Sequence, residues 1–259
     1  MTFNFFFKRK NPRAYYETLI HEILDEMILI PGGSFLMGAT DGEEDERPIH
    51  NVLVNSFYLS KYEITLKQWK DLMGTEPVHE ENNRYFKMGN RFPVVNVNWY
   101  EAKEFIAKLN DVIGHGFRLP TEAEWEYACR AGSKTKFSHG QLKMGLSQYA
   151  WYYDNAFKKG EMYPHEVGTR KPNKFGLYDM MGNVYEWCFD WYGRNYYAES
   201  QVQNPQGPVY GSSKVVRGGD WARTDYFLRV TSRRYYSPHY RDVNVGFRLA
   251  RNVEKDLKT

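Results

Sequence analysis

The sequence predicts an α+β domain in which loops make up much of the chain, and three observations lead to this fold class. Short amphipathic helices are marked by capping residues, most clearly Thr121 with Glu124 three positions later. Strand-like apolar runs alternate with them, and long polar stretches such as 133–175 keep no periodicity. Aromatic residues form 17% of the chain, mainly 21 Tyr and 16 Phe, which is typical of irregular, half-buried structure or of an aromatic binding surface.

The chain divides into an N-terminal helix within residues 1–27 and a main domain, residues 28–259. Apolar residues recur at helical spacing from Pro12 to Met27, so we expect this helix to pack one face on the main domain. The further predicted elements are strands on either side of 31–33, strand-like runs within 52–59 and 92–99, a helix after Thr65, a helix at 100–110 after Asn98, and a helix from Thr121 to Gly132.

The charges narrow the range of partners. Net charge is +3, too small to indicate binding to nucleic acid or to an anionic membrane. The acidic cluster at 43–46 is expected to lie in a solvated loop, 41–48. No stretch approaches the roughly 20 apolar residues of a membrane span, and no targeting signal is visible. The two cysteines, Cys129 and Cys188, permit a disulfide without requiring one.

The segment from Val216 to Arg248 differs in composition from the rest of the chain. It opens on a pair of glycines, 218–219, and closes on Gly246-Phe247-Arg248. The 27 residues from Ala222 to Arg248 lack Lys, Glu, Gln, Met and Trp, although these five types supply 60 of the other 232 residues. About seven would be expected from composition alone. The segment is rich instead in Arg, Tyr, Ser, Thr and Asp.

Several motifs, in order along the chain, resemble the formylglycine-generating enzyme family, a branch of the C-type lectin fold. The most specific are RLPTEAEWE at 118–126 and FGLYDMMGNVYEW at 175–187. The other matching pieces lie at 30–38, 63–65, 93–99, 217–219 and 246–248, so the resemblance covers roughly residues 28–251. It implies that the main domain has a loop-rich C-type lectin fold of the formylglycine-generating enzyme type.

The same resemblance argues against the family's enzymatic activity. Members that convert cysteine to formylglycine use two cysteines, which hold copper, in the segment before the final Gly-Phe-Arg. This chain has no cysteine between Gly219 and Gly246, and a packing role is expected for Cys129 and Cys188. We therefore expect a non-catalytic member that requires no cofactor. The alternative is an oxidase of this family with displaced chemistry, which would bind copper or oxidise a cysteine-containing sulfatase peptide.

A structural calcium ion is the metal site to consider. Asp179 and Glu186 offer oxygen ligands of the kind that calcium prefers, and the alternative is that Glu186 pairs with a buried arginine. The resemblance implies a calcium site at the positions of Asp179, Gly182, Val184 and Glu186, because catalytic members bind calcium there.

The unusual segment resembles, more narrowly, the variable proteins of diversity-generating retroelements. In that family adenines of a template copy are randomised, largely in AAY codons. Such codons cannot become Lys, Glu, Gln, Met or Trp, which is the set that 222–248 lacks. The aromatic and arginine side chains that remain are those favoured at binding surfaces.

The resemblance divides the segment into two groups. The expected scaffold positions are Trp221, Leu228, Arg229, Arg233, Pro238, Arg241, Val245, Gly246, Phe247 and Arg248. The candidate ligand-contacting positions are Asp220, Ala222, Arg223, Thr224, Asp225, Tyr226, Phe227, Ser232, Arg234, Tyr235, Tyr236, Ser237, His239, Tyr240, Asp242, Val243 and Asn244. These assignments come from the family pattern and not from periodicity.

The sequence thus favours a binding protein whose segment 217–248 is diversified. Its ligand is expected to be a protein or a cell-surface molecule of unknown identity. Display at a cell surface is implied by the resemblance alone. A plain structural module with the same fold is the remaining alternative, and related sequences would then vary evenly along the chain.

Overall fold

The computed structural model describes residues 16–77, 89–114 and 116–253. The part of the predicted N-terminal helix at 12–15 lies outside these ranges. In the described residues the helices are α1 (Glu17–Asp25), α2 (Leu66–Met73), α3 (Trp99–Ile113), α4 (Glu122–Arg130) and α5 (Tyr196–Glu199). The strands are β1 (Met27–Ile30), β2 (Gly33–Met37), β3 (His50–Val54), β4 (Phe57–Ser60), β5 (Phe117–Arg118), β6 (Tyr185–Trp191), β7 (Lys214–Arg217), β8 (Arg234–Tyr236), β9 (Val245–Gly246) and β10 (Ala250–Asn252).

The strands form three small sheets. The first has the order β1-β4-β10-β5 and joins the start of the main domain to its end, since β10 pairs antiparallel with both β4 and β5. The second is the β2-β3 pair. The third has the order β8-β7-β6-β9 and carries both ends of the unusual segment. Helices and short sheets joined by long irregular loops confirm the predicted α+β class.

The predicted strands on either side of Pro31-Gly32-Gly33 exist, but they do not pair with each other. Strand β1 pairs with β4, and β2 pairs with β3, so the turn carries the chain from one sheet to another. The turn runs close to neighbouring backbone: a Cβ atom on Gly32 would lie 2.8 Å from the amide nitrogen of Ser56. A side chain at that position would push the two sheets apart.

The three predicted helix starts are confirmed by their caps. Thr65, Asn98 and Thr121 each accept a hydrogen bond from the backbone N–H three residues on, at 3.2, 3.0 and 3.2 Å, and each forms a capping box. Because each cap satisfies amides that would otherwise lack partners, it fixes where its helix begins. Helix α4 ends at Arg130, followed by left-handed residues, as the glycine at 132 suggested.

Two sequence-based expectations about secondary structure were wrong in part. The run 92–99 does not form a ladder strand before Trp99 opens α3. It is a buried connection whose amides bond to other loops, as Val94 does to the carbonyl of Ile64 at 2.7 Å. Met27, expected at the end of the first helix, begins β1 instead, because the residue before it already accepts a hydrogen bond from Lys61.

Two apolar clusters form the core. One surrounds Trp125 of α4, and the other contains Trp69, Phe105 and Phe247. Helix α1 contributes Leu19 and Ile23 to the second cluster, so the N-terminal helix packs on the main body. None of the described helices combines the length and apolar character that a membrane crossing requires.

Candidate ligand-binding surface

The segment 217–248, called here the variable segment, leaves the third sheet at the end of β7, adds β8 to the edge of that sheet and rejoins it again at β9. Glycines at both ends allow close packing. A Cβ atom on Gly219, which has φ +77, would lie 2.7 Å from Cδ1 of Leu228, and one on Gly246 would lie 2.5 Å from the carbonyl oxygen of Val94. The two ends are therefore fixed by contacts that only glycine permits.

Four buried arginines anchor the segment to the rest of the domain, each through a glutamate. The pairs are Arg217 with Glu126, Arg229 with Glu46, Arg233 with Glu122 and Arg248 with Glu186. Three of them are bidentate, with nitrogen–oxygen distances of 2.7 and 2.8 Å for Arg229, 2.7 and 2.8 Å for Arg233, and 2.6 and 2.6 Å for Arg248. Such pairs fix the geometry of both partners because the planar fork fits a carboxylate in one orientation.

The arginine pairs explain several acidic residues of the sequence. Glu122 and Glu126 on α4 both form ion pairs with buried arginines of the segment. Glu46 corrects an expectation, because it was placed in a solvated loop and is 0% exposed. It sits in a short 3₁₀ turn, Glu44–Glu46, that packs beneath the variable segment. A charge count could not reveal this, because its partner Arg229 is distant in sequence.

The predicted scaffold positions are mostly buried. Trp221, Leu228, Pro238, Val245, Gly246, Phe247 and the three arginines 229, 233 and 248 are all buried. Arg241 is the exception: it is exposed and pairs with Glu101 of α3 at 2.5 Å. Its ion pair with α3 is therefore partly exposed, whereas the ion pairs of the other three scaffold arginines are buried.

Fifteen of the seventeen candidate ligand-contacting residues are partly or fully exposed. Contacts link many of them. Phe227 lies edge-on against Tyr226 at 5.4 Å between ring centres and is approached by the guanidinium groups of Arg223 and Arg234. Tyr236 of β8 stacks on Tyr240 at 4.3 Å. Rings and guanidinium groups thus lie together above the buried arginine pairs.

Asp220 and Ser232 do not belong to this exposed surface, which corrects two of the candidates. Asp220 is 0% exposed, and its carboxylate accepts hydrogen bonds from the backbone of Ala222 and from Asn244, at 2.7 and 2.9 Å. Ser232 is 5% exposed, and its carbonyl accepts from Arg217 at 2.6 Å. Both residues therefore stabilise the backbone of the segment through buried hydrogen bonds.

Residues outside the segment also border the surface, and the sequence did not identify them. Tyr192 stacks on Tyr235 at 3.9 Å, and Tyr100 lies 4.9 Å from the ring of His239. Lys143 binds Asp225 at 3.0 Å. These residues are far away in sequence and have no motif of their own, so only the fold brings them to the segment.

Of the four residues of the possible calcium site, Asp179, Gly182, Val184 and Glu186, the last is already engaged by other side chains. Both carboxylate oxygens of Glu186 accept from Arg248, and Trp125 donates a further hydrogen bond to one of them at 2.7 Å. This is the arginine pairing that the sequence left as the alternative. In the described residues no three His, Cys, Asp or Glu side chains are grouped to hold a metal. A carboxylate already neutralised by a buried arginine is a poor ligand for a hard cation.

Asp179 is buried, and only one of its two carboxylate oxygens is hydrogen-bonded. Its Oδ2 accepts from the backbone of Gly168 at 2.7 Å, whereas its Oδ1 has no partner. Burial raises the pKa of Asp179 to about 6, although the amide of Gly168 and the charge of Arg248 lower it. A buried carboxylate with an unpaired oxygen is costly in its charged form.

We expect Asp179→Asn to be more stable than the wild-type chain at neutral pH. A folded-state pKa above the unfolded value of 3.8 stabilises the fold at low pH, and this stabilisation disappears as pH rises from about 4 to above 6. Asparagine does not ionise, so the variant does not lose stability over this pH range. The unfolding free energy of the variant should therefore exceed that of the wild type by a difference that grows with pH to on the order of 2 kcal/mol. Asparagine also tolerates the left-handed backbone here, φ +57. Urea unfolding at pH 4, 5, 6 and 7, with the exposed Asp111→Asn as control, measures this difference, and a constant one would contradict the prediction.

The two cysteines lie in the core and not at the surface. Cys129 and Cys188 are both free and 0% exposed. Burial raises the pKa of the Cys129 thiol to about 12 and that of Cys188 well above its usual range. Since the thiolate is the reactive form, neither side chain suits a thiol-based oxidation.

The geometry defines a class: an α+β domain of the C-type lectin-like kind with a solvent-accessible surface on its C-terminal segment. Residues 15–253 match the sulfatase-modifying factor enzyme 1-like domain, so the chain belongs to the formylglycine-generating enzyme-type family. It is 28% identical to the formylglycine-generating enzyme of Streptomyces coelicolor, over 88% of this chain and 89% of that protein.

Two further relatives are similar over most of this chain. The serine/threonine-protein kinase pkn1 of Chlamydia pneumoniae is 35% identical over 89% of this chain, which spans only 38% of that protein. Among solved structures, variable protein 1 of Treponema denticola superimposes with a TM-score of 0.79 and 32% identity, over 88% of this chain and 95% of that one. The resemblance to variable proteins that the sequence suggested is confirmed.

Proposed function

We propose that this protein is a non-catalytic ligand-binding protein whose variable segment is diversified by a retroelement. The observation that carries the proposal is the division of the segment. Most predicted scaffold positions are buried, and fifteen of seventeen candidate contact positions are accessible. Residues that change from copy to copy must not disturb the fold, and accessible positions on a fixed frame meet that requirement.

The chemistry of the accessible positions supports binding. Tyrosine and arginine are both enriched in energetic hot spots. Tyrosine buries a large area with few rotatable bonds, and arginine forms directional contacts through its planar guanidinium group. Here Tyr226, Tyr235, Tyr236 and Tyr240 are interleaved with arginines along one segment. The proposed activity requires no cofactor, and its ligand is a protein or another cell-surface molecule.

An enzymatic function is the alternative, because the family includes oxidases that resemble this chain over nearly its full length. Those enzymes use thiols in the segment before the final Gly-Phe-Arg. This chain has Arg, Tyr and Ser there, and its own thiols are buried on α4 and β6. Copper binding, or oxidation of a cysteine-containing sulfatase peptide, would favour the enzyme.

The genome that encodes the protein provides the test. We expect a near-copy of the DNA for residues 217–248 close to the gene, beside a reverse transcriptase. Mismatches between copy and gene should fall at adenines of the copy, and should change accessible positions while leaving the codons of buried residues intact. A neighbourhood with neither a near-copy nor a reverse transcriptase would contradict the proposal.

A further inference from the structure

Two arginines of the variable segment converge on one aromatic ring. The central carbons of the Arg223 and Arg234 guanidinium groups lie 5.8 and 5.5 Å from the centre of the Phe227 ring. Arg223 contacts Asp220 through Nε alone, at 3.4 Å, and 38% of its side chain is exposed. Within the described residues Arg234 forms no ion pair. The surface therefore has a centre with guanidinium N–H donors that are not used by other described residues.

Three buried polar atoms in the segment and beside it lack partners. The hydroxyl of Tyr185, Nε1 of Trp221 and Oδ1 of Asn244 are all buried without a hydrogen bond. Tyr185 is only 1% exposed, and its ring meets Tyr236 edge-on at 6.3 Å. Buried polar atoms in proteins almost always have a partner, so a group of orphaned atoms indicates where a ligand or a bound water completes the site.

Electrostatics connects the Tyr185 hydroxyl with the two arginines. Burial is the main cause that raises the pKa of Tyr185, and Asp220 and Tyr236 raise it further, whereas Arg223 and Arg234 lower it. The hydroxyl thus lies in the field of both guanidinium groups. Asp220 offsets part of that field, since it raises the pKa of Tyr185 more than either arginine lowers it. Its carboxylate accepts from the Ala222 amide, Asn244 and Arg223.

We propose that the centre of the surface binds a carboxylate of a protein ligand, between Arg223 and Arg234, with the Tyr185 hydroxyl as a donor from below. A carboxylate fits because it accepts hydrogen bonds from planar guanidinium forks and has lone pairs left for a hydroxyl. The surrounding tyrosines favour an acidic side chain of a folded protein or peptide over a free small anion. This inference rests on the proposed function and specifies the ligand chemistry of the same surface.

The site combines two kinds of residue. Arg223, Arg234 and Asn244 belong to the candidate variable positions, whereas Tyr185 lies on β6, outside the segment. A different set of variable residues would change the preferred ligand but keep the buried hydroxyl. Specificity for an acidic group is therefore a property of this particular chain.

Selection of peptides from a random displayed library tests the proposal, since the natural ligand is unidentified. Peptides captured by the wild-type chain should be enriched in Asp or Glu at one position. For one such peptide, its acid-to-amide variant and Arg234→Gln should each weaken binding about tenfold or more, as expected for a charge-assisted hydrogen bond. The two changes together should cost little more than either alone. Arg241→Gln is the matched control, because it removes the same charge from the same segment at a guanidinium paired with Glu101.

The outcomes separate the two proposals. Peptides whose capture is lost in Tyr235→Ser but which show no acid preference would overturn the carboxylate site and leave the binding function standing. Peptides unaffected by any change to the accessible residues, or no captured peptide at all, would count against the binding function and the carboxylate site together. Equal losses of peptide affinity in Arg234→Gln and Arg241→Gln would mean that the effect comes from the overall charge of the surface, and this would overturn the carboxylate site.

Tyr185→Phe provides an independent measurement. It removes only the orphaned hydroxyl, so the melting temperature without peptide should stay the same or rise. Affinity for the acidic peptide should fall, and affinity for its amide variant should change less. A fall in melting temperature of several degrees, with unchanged affinity, would assign the hydroxyl a structural role and remove it from the site.

Discussion

Replacing Glu122 with alanine should destabilise the protein by about 3–5 kcal/mol. Glu122 accepts two hydrogen bonds from Arg233, at 2.7 and 2.8 Å, and neither side chain is more than 3% exposed. The substitution leaves the Arg233 guanidinium buried with only backbone carbonyls, those of Asp45 and Gly193, as acceptors. An uncompensated charge in the core costs far more than an intact pair contributes. The midpoint of urea unfolding, followed by near-ultraviolet circular dichroism, measures the loss.

Two comparisons show that burial causes this effect. Glu44→Ala breaks the pair with Arg194, in which the side chains of Arg194 and Glu44 are 69% and 79% exposed, and should leave the midpoint of unfolding nearly unchanged because solvent screens this pair. Removing both members of the buried pair, with Glu122→Leu and Arg233→Met, should recover much of the lost stability because neither member is then left buried without its partner. A loss below about 1 kcal/mol for Glu122→Ala would mean that water reaches Arg233 and that the segment is not anchored as described.

The parts of the fold that the sequence predicted are those governed by local chemistry. The helix starts at Thr65, Asn98 and Thr121 could be read because a cap and its partner lie three residues apart. The family motifs supplied the long-range arrangement that no local rule gives. The run 92–99 was mistaken for a strand because a short apolar run does not reveal whether its amides meet a strand or a loop.

The sequence predicted the composition of the candidate site but not the burial of its individual residues. The lack of five residue types marked the segment, and the family pattern separated scaffold from contact positions. Asp220 and Ser232 were misplaced because the sequence of an irregular loop does not show whether a side chain points inward or outward. Glu46 was misplaced because its partner, Arg229, is 183 residues away. Burial of a charge depends on a distant partner, and a single sequence does not show which residues meet.

The division between frame and surface leads to the second large expected effect, on binding. We consider a chain in which the fifteen accessible candidate positions are exchanged together for other residues that the same codons can encode. Its affinity for a peptide selected by the wild-type chain should fall more than about 100-fold, because aromatic and arginine anchors carry most of the energy of an interface. Fluorescence anisotropy with the labelled peptide measures the fall.

The same exchanged chain should remain folded. Single surface substitutions change the free energy of unfolding by about 0.5 kcal/mol in either direction, so fifteen of them largely cancel and the total should stay within about 2 kcal/mol. One substitution in the frame should cost more than all fifteen: Leu228→Ala removes a side chain that is 0% exposed and should cost about 2–5 kcal/mol. If the exchanged chain unfolds while Leu228→Ala does not, the accessible residues hold the fold and cannot vary freely. A diversified segment is possible only if stability resides in the buried arginines and apolar residues and binding resides in the residues above them.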